Sequence, residues 1–258
     1  MIALTRGIPA TFAQATTAVP ADPPIDVARA RTQHDAYRRA LRAIGLEVVT
    51  LPADDRFPDG CFVEDCAVLA GGVALITRPG APSRRGEVDA IEDALVRIVG
   101  DAAVHRMEAP ATLDGGDCLR VGRTLFIGAS ARTNAEGIAR ATAVFAPHGI
   151  RVVAVPMPSR DVLHLKCVCS PLGDDRVLLA EGTLPASTFD GFGVVTIPAS
   201  EAYAANCLAY DGPAIVAEGF PETLSILRGE GLRVTPLDTS EIHKADGALT
   251  CLSILVDH

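Results

Sequence analysis

The apolar positions of the chain repeat one short motif, in which a glycine leads into a strand. The pattern Gly-x-x-Val-Val begins at Gly45, Gly149 and Gly191, and a shorter form begins at Gly231. Three of these motifs follow segments with the i, i+3, i+4, i+7 apolar spacing of an amphipathic helix, which are residues 27–44, 131–148 and 221–229. Because a helix that ends in glycine often leads into a strand, each segment predicts a helix followed by a buried strand.

Paired short strands precede these helices. The predicted pairs are joined by Gly71-Gly72, Gly122-Arg123 and Asp174-Asp175, which are residues typical of hairpin turns. The resulting unit is strand, strand, helix, strand, spans about 40 to 55 residues and occurs about five times. Since such units cannot bury their apolar faces alone, we expect a single α/β domain over residues 1–258 in which they stack or close into a ring. The fourth unit, residues 180–198, is short and interrupted by proline, so a layered βαβα sheet is the structural alternative.

Composition narrows the range of partners. The 258 residues carry a formal charge of −9, which disfavours nucleic acids and anionic membranes and favours a cationic small molecule. The chain has no apolar run long enough for a membrane span, and Arg6 interrupts the N-terminus before a signal core. Seven scattered cysteines indicate reduced thiols. We therefore expect a cytoplasmic protein, and homo-oligomerisation is left open.

Two residues could act in nucleophilic chemistry. Cys251 follows a glycine turn at the head of the last apolar strand, although most free cysteines are simply small buried side chains. The six other cysteines lie in or beside apolar strands and are expected to be structural. His164 lies in an apolar context, where a core role is more common than catalysis. Together with Cys167 and Cys169 it forms a metal-like spacing, but the second well-separated ligand pair of a zinc site is missing.

Several charged residues lie where charge is costly. Asp114 and Asp117 flank a double glycine, which is compatible with an ordinary turn. Glu64 and Asp65 stand between apolar segments, and buried carboxylates persist only when they are paired with a cation. The cations Arg84, Arg85 and Arg132 lie at the starts of predicted helices, where the helix dipole disfavours positive charge. A ligand carboxylate there would reverse that sign, whereas for Arg85 a salt bridge is the preferred interpretation.

Taken together and in this order, these segments resemble the dimethylarginine dimethylaminohydrolase family of the guanidino-modifying (pentein) superfamily. The resemblance covers nearly the whole chain, through segments 25–37, 59–65, 74–89, 113–117, 128–137, 163–166, 201–207 and 245–251. It implies a five-bladed ββαβ propeller with the active site in its central channel. Residues 10–24, rich in Ala, Thr and Pro, match the lid of the family only in length and position.

The resemblance also implies an activity, which is hydrolysis of mono- and dimethylated arginine to citrulline without a metal or organic cofactor. A cysteine thiouronium would be the covalent intermediate. The implied roles, by position, are Cys251 as nucleophile, His164 as general acid and base, Asp114 as the carboxylate beside the histidine, Glu64 and Asp65 as partners of the guanidinium, Arg84 and Arg132 as ligands of the α-carboxylate, Asp59 and the carbonyl of Ala245 as ligands of the α-amino group, and Asp246 at the rim near the thiol.

Other functions remain open from the sequence. An arginine or agmatine deiminase would share the Cys, His and carboxylate set, but Arg84 and Arg132 argue against agmatine, which lacks a carboxylate. Arginine deiminases are typically longer than this chain, because they carry an inserted helical domain. A non-catalytic protein that binds cationic amino acids would explain the acidic residues but would leave Cys251 and His164 without a role. A zinc-binding module is the third alternative.

Overall fold

Fifteen strands and five α-helices make up the regular structure of the computed structural model, which describes residues 1–159 and 161–257. The strands are β1 (Ile2–Arg6), β2 (Glu47–Leu51), β3 (Ala67–Ala70), β4 (Val73–Ile76), β5 (Val104–Arg106), β6 (Cys118–Val121), β7 (Thr124–Ala129), β8 (Arg151–Pro156), β9 (Cys169–Pro171), β10 (Arg176–Ala180), β11 (Gly193–Ile197), β12 (Leu208–Ala209), β13 (Pro213–Ala217), β14 (Arg233–Leu237) and β15 (Ile254–Val256). The helices are α1 (Val27–Ala43), α2 (Val88–Val99), α3 (Ala135–Phe145), α4 (Pro221–Gly229) and α5 (Ser240–His243).

The strands form five separate three-stranded sheets with one common topology. In each sheet the first strand pairs antiparallel with the second, and the second pairs parallel with the third. The sheets are β3-β4-β5, β6-β7-β8, β9-β10-β11, β12-β13-β14 and β15-β1-β2. In the last sheet β15 pairs antiparallel with β1, which closes the ring of blades. The predicted ββαβ unit and the five-bladed propeller are confirmed, and the layered sheet is not the arrangement formed.

The helices agree with the sequence pattern except at two places. The predicted helix 131–148 begins only at Ala135, because the side chain of Asn134 accepts a hydrogen bond from the Gly137 N–H and caps the helix there. In the blade β9-β10-β11, which contains the predicted fourth unit, a short 3-10 turn, Ala186–Phe189, replaces an α-helix. Phe189 is buried and meets Phe126 edge-on at 5.0 Å, so an aromatic contact covers this sheet where other blades use a longer helix. None of the helices in the described residues is long and apolar enough to cross a membrane.

A short 3-10 turn precedes the first strand of every blade, and these five turns form what we call the turn ring. Its members are Val63–Cys66, Gly115–Asp117, Leu165–Cys167, Ala199–Ala205 and Thr250–Leu252. Successive turns contact one another, and the side chain of Asn206 hydrogen-bonds Thr250 to join the fourth turn to the fifth. The repeated unit thus brings five segments that are distant in sequence to one end of the central channel.

The double glycine after Asp114 is required by this close approach. A Cβ added at Gly115 would lie 1.9 Å from the Glu64 carbonyl oxygen, and one at Gly116 would lie 2.5 Å from Nδ1 of His164. Any side chain would therefore push two turns of the ring apart. The Asp-Gly-Gly-Asp segment is a packing requirement of the site as well as a turn.

We predict that Gly115→Ala destabilises the protein by about 3 kcal/mol or more, because backbone atoms rather than a flexible side chain must move. The matched control is Gly229→Ala at the end of α4, where an added Cβ meets no atom within 4 Å. That substitution is expected to leave the free energy of unfolding unchanged or to raise it by up to about 1 kcal/mol. Urea unfolding of both variants measures the difference, and equal midpoints would contradict the packing described for Gly115.

Candidate active site

The turn ring brings the predicted histidine close to two of the predicted carboxylates. His164 and Asp114 each lie immediately before a turn of the ring, and Nε2 of His164 lies 3.0 Å from Oδ2 of Asp114. On the other side of the imidazole, Oδ1 of Asp65 lies 4.0 Å from Nδ1. All three side chains are buried. The imidazole is therefore held between two carboxylates in a site with little access to water.

This environment favours the charged form of the histidine. Burial alone would lower the pKa of His164, but Asp65, the hydrogen bond to Asp114 and the nearby Asp117 outweigh it and raise the pKa to about 9. Burial likewise opposes ionisation of Asp65, but His164 and Arg84 outweigh it and lower the pKa of Asp65 to about 2. At neutral pH the pair is an imidazolium and a carboxylate, so the histidine carries a proton that it can donate.

Cys251 lies in the middle of the turn Thr250–Leu252, three residues before β15 rather than at its head. It is one of two cysteines that are only partly buried, together with Cys167, among the seven in the chain. Burial, together with the negative charges of Glu64 and Asp65, raises the pKa of the Cys251 thiol well above its ordinary value. The free site therefore holds a neutral thiol beside carboxylates, and a bound cation is what would favour the thiolate.

The floor of the site is a buried ion pair between two turns of the ring. Nζ of Lys166 lies 2.5 Å from Oε1 of Glu64, and Oε2 of Glu64 accepts a hydrogen bond of 2.7 Å from Thr250. Asn206 donates to both the Lys166 carbonyl oxygen and the Thr250 hydroxyl at 3.0 Å. Burial opposes the charge on Lys166, but Glu64 outweighs it and raises the pKa of the lysine. Glu64 is thus already compensated, and Asp65 is left as the carboxylate of this turn that faces the histidine.

The two predicted arginines occupy different surroundings. Arg84 is buried and donates to both Glu87 and Asp65 and to the Phe62 carbonyl oxygen, with Nη1 2.5 Å from Oδ2 of Asp65. Among the described residues, these contacts engage four of its five N–H groups and leave one on Nη1. Arg132 lies in the loop before α3, is partly exposed, and has Nη1 3.9 Å from Oδ2 of Asp114. Arg132 is therefore the more accessible cation next to the histidine.

Residues 10–24 are tied to two of the predicted site carboxylates. Asp59 accepts hydrogen bonds from the Thr16 N–H at 3.0 Å and from its hydroxyl at 3.2 Å. Asp246 accepts one of 2.6 Å from the Ala18 N–H, and its backbone has a positive φ of 53°. Ala245, beside it, is buried. Asp59 and Asp246 thus both contact this N-terminal segment.

Sequence reasoning missed four residues that organise the site. Asp117 accepts hydrogen bonds from Ser130, Thr133 and the Leu165 N–H, which fixes the turn that carries His164. Lys166, Asn206 and Glu87 complete the buried pairs described above. The sequence marks Asp117 only as a turn residue, and the only signal for the other three is membership of the segments that resemble the family, because each partner lies on a different blade or a different element.

One cluster in the described residues has the composition of a metal site. One ligand atom each from Asp65, Asp114 and His164 lie within 4.8 Å of one another. Two cations, Arg84 and Arg132, already lie at its carboxylates, which reduces the charge available to a divalent ion. The predicted alternative of His164 with Cys167 and Cys169 does not form such a cluster in the part of the chain that the structure describes.

Known proteins resemble this chain over nearly its whole length. A family model for eukaryotic N,N dimethylarginine dimethylhydrolase matches residues 14–200. The chain is 41% identical to N(G),N(G)-dimethylarginine dimethylaminohydrolase of Pseudomonas aeruginosa over 229 residues, 89% of each protein. It is 38% identical to the protein of the same name from Streptomyces coelicolor over 231 residues, 89% of this chain and 87% of the relative. A solved structure of the Pseudomonas aeruginosa protein, a cysteine-to-serine mutant complexed with citrulline, matches with a TM-score of 0.92 and 38% identity over 98% of this chain and 97% of that one.

We predict that His164 makes stability depend on pH. Its pKa is raised from about 6.5 when unfolded to about 9 when folded, so its contribution is fully present below pH 6.5 and is lost as the pH rises through 9. The expected loss is on the order of 3 kcal/mol. Urea unfolding at several pH values checks this, with His148→Asn at an exposed position as the control. A variant His164→Asn that shows the same fall as wild type would contradict the assignment.

Proposed function

The chain belongs to the dimethylarginine dimethylaminohydrolase family, and from this premise we propose that it hydrolyses asymmetric dimethylarginine to citrulline and dimethylamine, and monomethylarginine to citrulline and methylamine. The observation that carries the proposal is His164, held between Asp65 and Asp114 at the same end of the channel as Cys251. The names of the relatives and the citrulline in the matching structure support the substrate class. The net charge of −9 is also favourable for a cationic substrate.

The site suits a guanidinium group. The carbon of that group becomes electrophilic only when the positive charge is localised and water is excluded. Asp65 and Asp114 present carboxylates on both sides of the imidazole, where they can bind the guanidinium nitrogens. The bound cation lowers the pKa of the Cys251 thiol, which releases its proton to solvent. The resident negative charges then no longer oppose the thiolate.

The reaction then proceeds in two halves. The Cys251 thiolate attacks the guanidinium carbon, and His164 donates its proton to the departing dimethylamine as the C–N bond breaks. The enzyme is left with a thiouronium on Cys251 and a neutral imidazole. His164 then removes one proton from water as the hydroxide adds to the same carbon. The C–S bond breaks and the remaining hydroxyl proton goes to the departing sulfur, which releases citrulline and restores the Cys251 thiol. Neither half requires a metal or an organic cofactor.

The charged groups at the other end of the substrate meet residues of opposite charge. Arg132 is the proposed main ligand of the α-carboxylate, and the one unengaged N–H of Arg84 is the proposed second donor. Asp59 and the Ala245 carbonyl oxygen would accept from the α-amino group, with Asp246 at the rim. Because Asp59 and Asp246 hold residues 10–24 in the free protein, substrate entry requires these contacts to open.

An arginine deiminase is the second candidate, because the same residues could act on an unmethylated guanidinium and release ammonia. A non-catalytic binding protein is the third candidate. The observation against it is His164, whose pKa of about 9 and position between two carboxylates suit proton donation rather than simple ligand binding.

We predict that the purified protein converts asymmetric dimethylarginine to citrulline and dimethylamine, and that Cys251→Ser abolishes turnover because serine lacks a thiolate. Citrulline, dimethylamine and ammonia are measured with dimethylarginine and with arginine as substrates. Cys118→Ser, at a buried thiol outside the proposed machinery, is the control and should keep activity. Ammonia from arginine would assign the chain to the deiminases, and no turnover of either substrate would favour the binding protein.

We predict that Arg132→Gln raises KM for dimethylarginine on the order of 10- to 100-fold with little change in kcat, because a charged hydrogen bond to the α-carboxylate is lost in both ground and transition states. Arg140→Gln, at an exposed position on α3, is the matched control. Steady-state kinetics separates the two parameters. A fall in kcat with unchanged KM would instead place Arg132 at the reacting carbon.

A further inference from the structure

Glu87 is a buried carboxylate that none of the proposed roles includes. It lies at the N-terminal boundary of α2 and is only 1% exposed. Both of its carboxylate oxygens lie 3.1 Å from Nε of Arg84, and Oε2 also lies 2.7 Å from Nη2. This is the bidentate geometry in which a guanidinium and a carboxylate interact most strongly.

Arg84 connects Glu87 to the reaction centre. On its other side, Nη1 donates to Oδ2 of Asp65 at 2.5 Å. The second oxygen of Asp65 accepts from the Gly116 N–H at 2.8 Å and faces His164. Glu87, Arg84, Asp65 and His164 therefore form one continuous buried series of charges, which ends at the imidazole.

The charge of this series depends on Glu87. Arg84 and Asp65 alone would form a neutral pair, and a neutral pair attracts a cationic ligand weakly. With Glu87 as a second carboxylate on the same guanidinium, the three side chains carry a formal charge of −1. Because the negative charge of Glu87 already balances the positive charge of Arg84, the negative charge of Asp65 remains available to a ligand.

We propose that Glu87 is a positioning residue of this hydrolase, which balances the charge of Arg84 so that the negative charge of the Asp65 carboxylate stays available and oriented towards a bound guanidinium or amidine. This rests on the proposed function, because it assigns Glu87 a part in the recognition of that same substrate class. The simpler view is that Glu87 only neutralises a buried arginine and stabilises the fold. The two views differ in the effect that Glu87 has on the electrostatic potential felt by a cationic ligand at Cys251.

The test compares two alkylating reagents of similar shape, the cationic chloroacetamidine and the neutral chloroacetamide. In both cases the Cys251 sulfur forms the C–S bond, chloride leaves, and the thiol proton goes to solvent. The ratio of the two rates measures the negative potential at the thiol, and neither reagent has the α-carboxylate that Arg132 or Arg84 would bind. Intact-mass measurement with Cys251→Ser as the blank gives the rate at this thiol alone.

We expect Glu87→Gln to lower the ratio of cationic to neutral rates on the order of tenfold. Glu92→Gln is the matched control, since Glu92 lies on the same helix but pairs with Arg106 at the surface. The double variant Arg84→Gln with Glu87→Gln restores the formal charge of −1, so it should return the ratio towards wild type. A purely stabilising role predicts no such recovery.

Removing one partner of a buried pair can prevent folding, so the comparison includes a third variant. Arg84→Gln alone leaves Asp65 and Glu87 uncompensated and should raise the ratio above wild type. A ratio that stays unchanged in every folded variant would overturn the proposal. If wild type hydrolyses no methylated arginine but the ratio changes as expected, the proposed function fails while the effect of Glu87 on the site stands.

Discussion

Charge burial at the turn ring is the constraint on which the rest of the molecule depends. Asp65, Asp114 and Asp117 lie in a region with little water, where each carboxylate must have a cation or several donors. The structure meets this requirement with donors from the same blade, such as Thr133, and with N–H groups of the neighbouring blade, which are Gly116 for Asp65 and Leu165 for Asp117. Since these N–H contacts cross between blades, the site holds the ring together and the ring in turn fixes the site.

The division between the ion pair of Lys166 with Glu64 and the two carboxylates beside His164 decides what the site can bind. Lys166 neutralises Glu64, so the floor offers little net charge to a ligand. Asp65 and Asp114, by contrast, flank an imidazole whose raised pKa depends on them. A cation that enters this space shares the carboxylates that stabilise the imidazolium. Substrate binding is therefore connected to the protonation of both His164 and Cys251.

Most of the fold could be predicted because its information is local. The recurring Gly-x-x-Val-Val motif and the hairpin residues define each blade within about fifty residues. The closure of the ring could not be read in this way, because it depends on the pairing of β15 with β1 across the whole chain. A missed signal was present in the cysteines: Cys66, Cys118, Cys169 and Cys207 all lie at or next to the first residue of the first strand in a blade, and Ser253 holds that place in the fifth.

The types of residue in the site could be predicted from the sequence, but the pairs that they form with one another could not. The segment around Glu64 and Asp65 indicated buried charge, yet its cations, Lys166 and Arg84, come from other elements. Arg84 had been placed at a helix start where its charge is unfavourable, and the structure resolves this through Glu87 three residues later. Periodicity describes one element at a time, so it contains no information on such pairs.

The pairing of β1 with β15 also has a kinetic meaning. Ile2 lies opposite Val256, so closing the ring fixes a loop of almost the full chain length, which has a large cost in chain entropy. The segment that completes the ring is the one that carries Cys251, three residues before β15. We therefore expect the four blades whose contacts are near in sequence to form before this long-range contact, which brings the thiol to its carboxylate neighbours. In that order of events the thiol is positioned last, within a structure that already surrounds it.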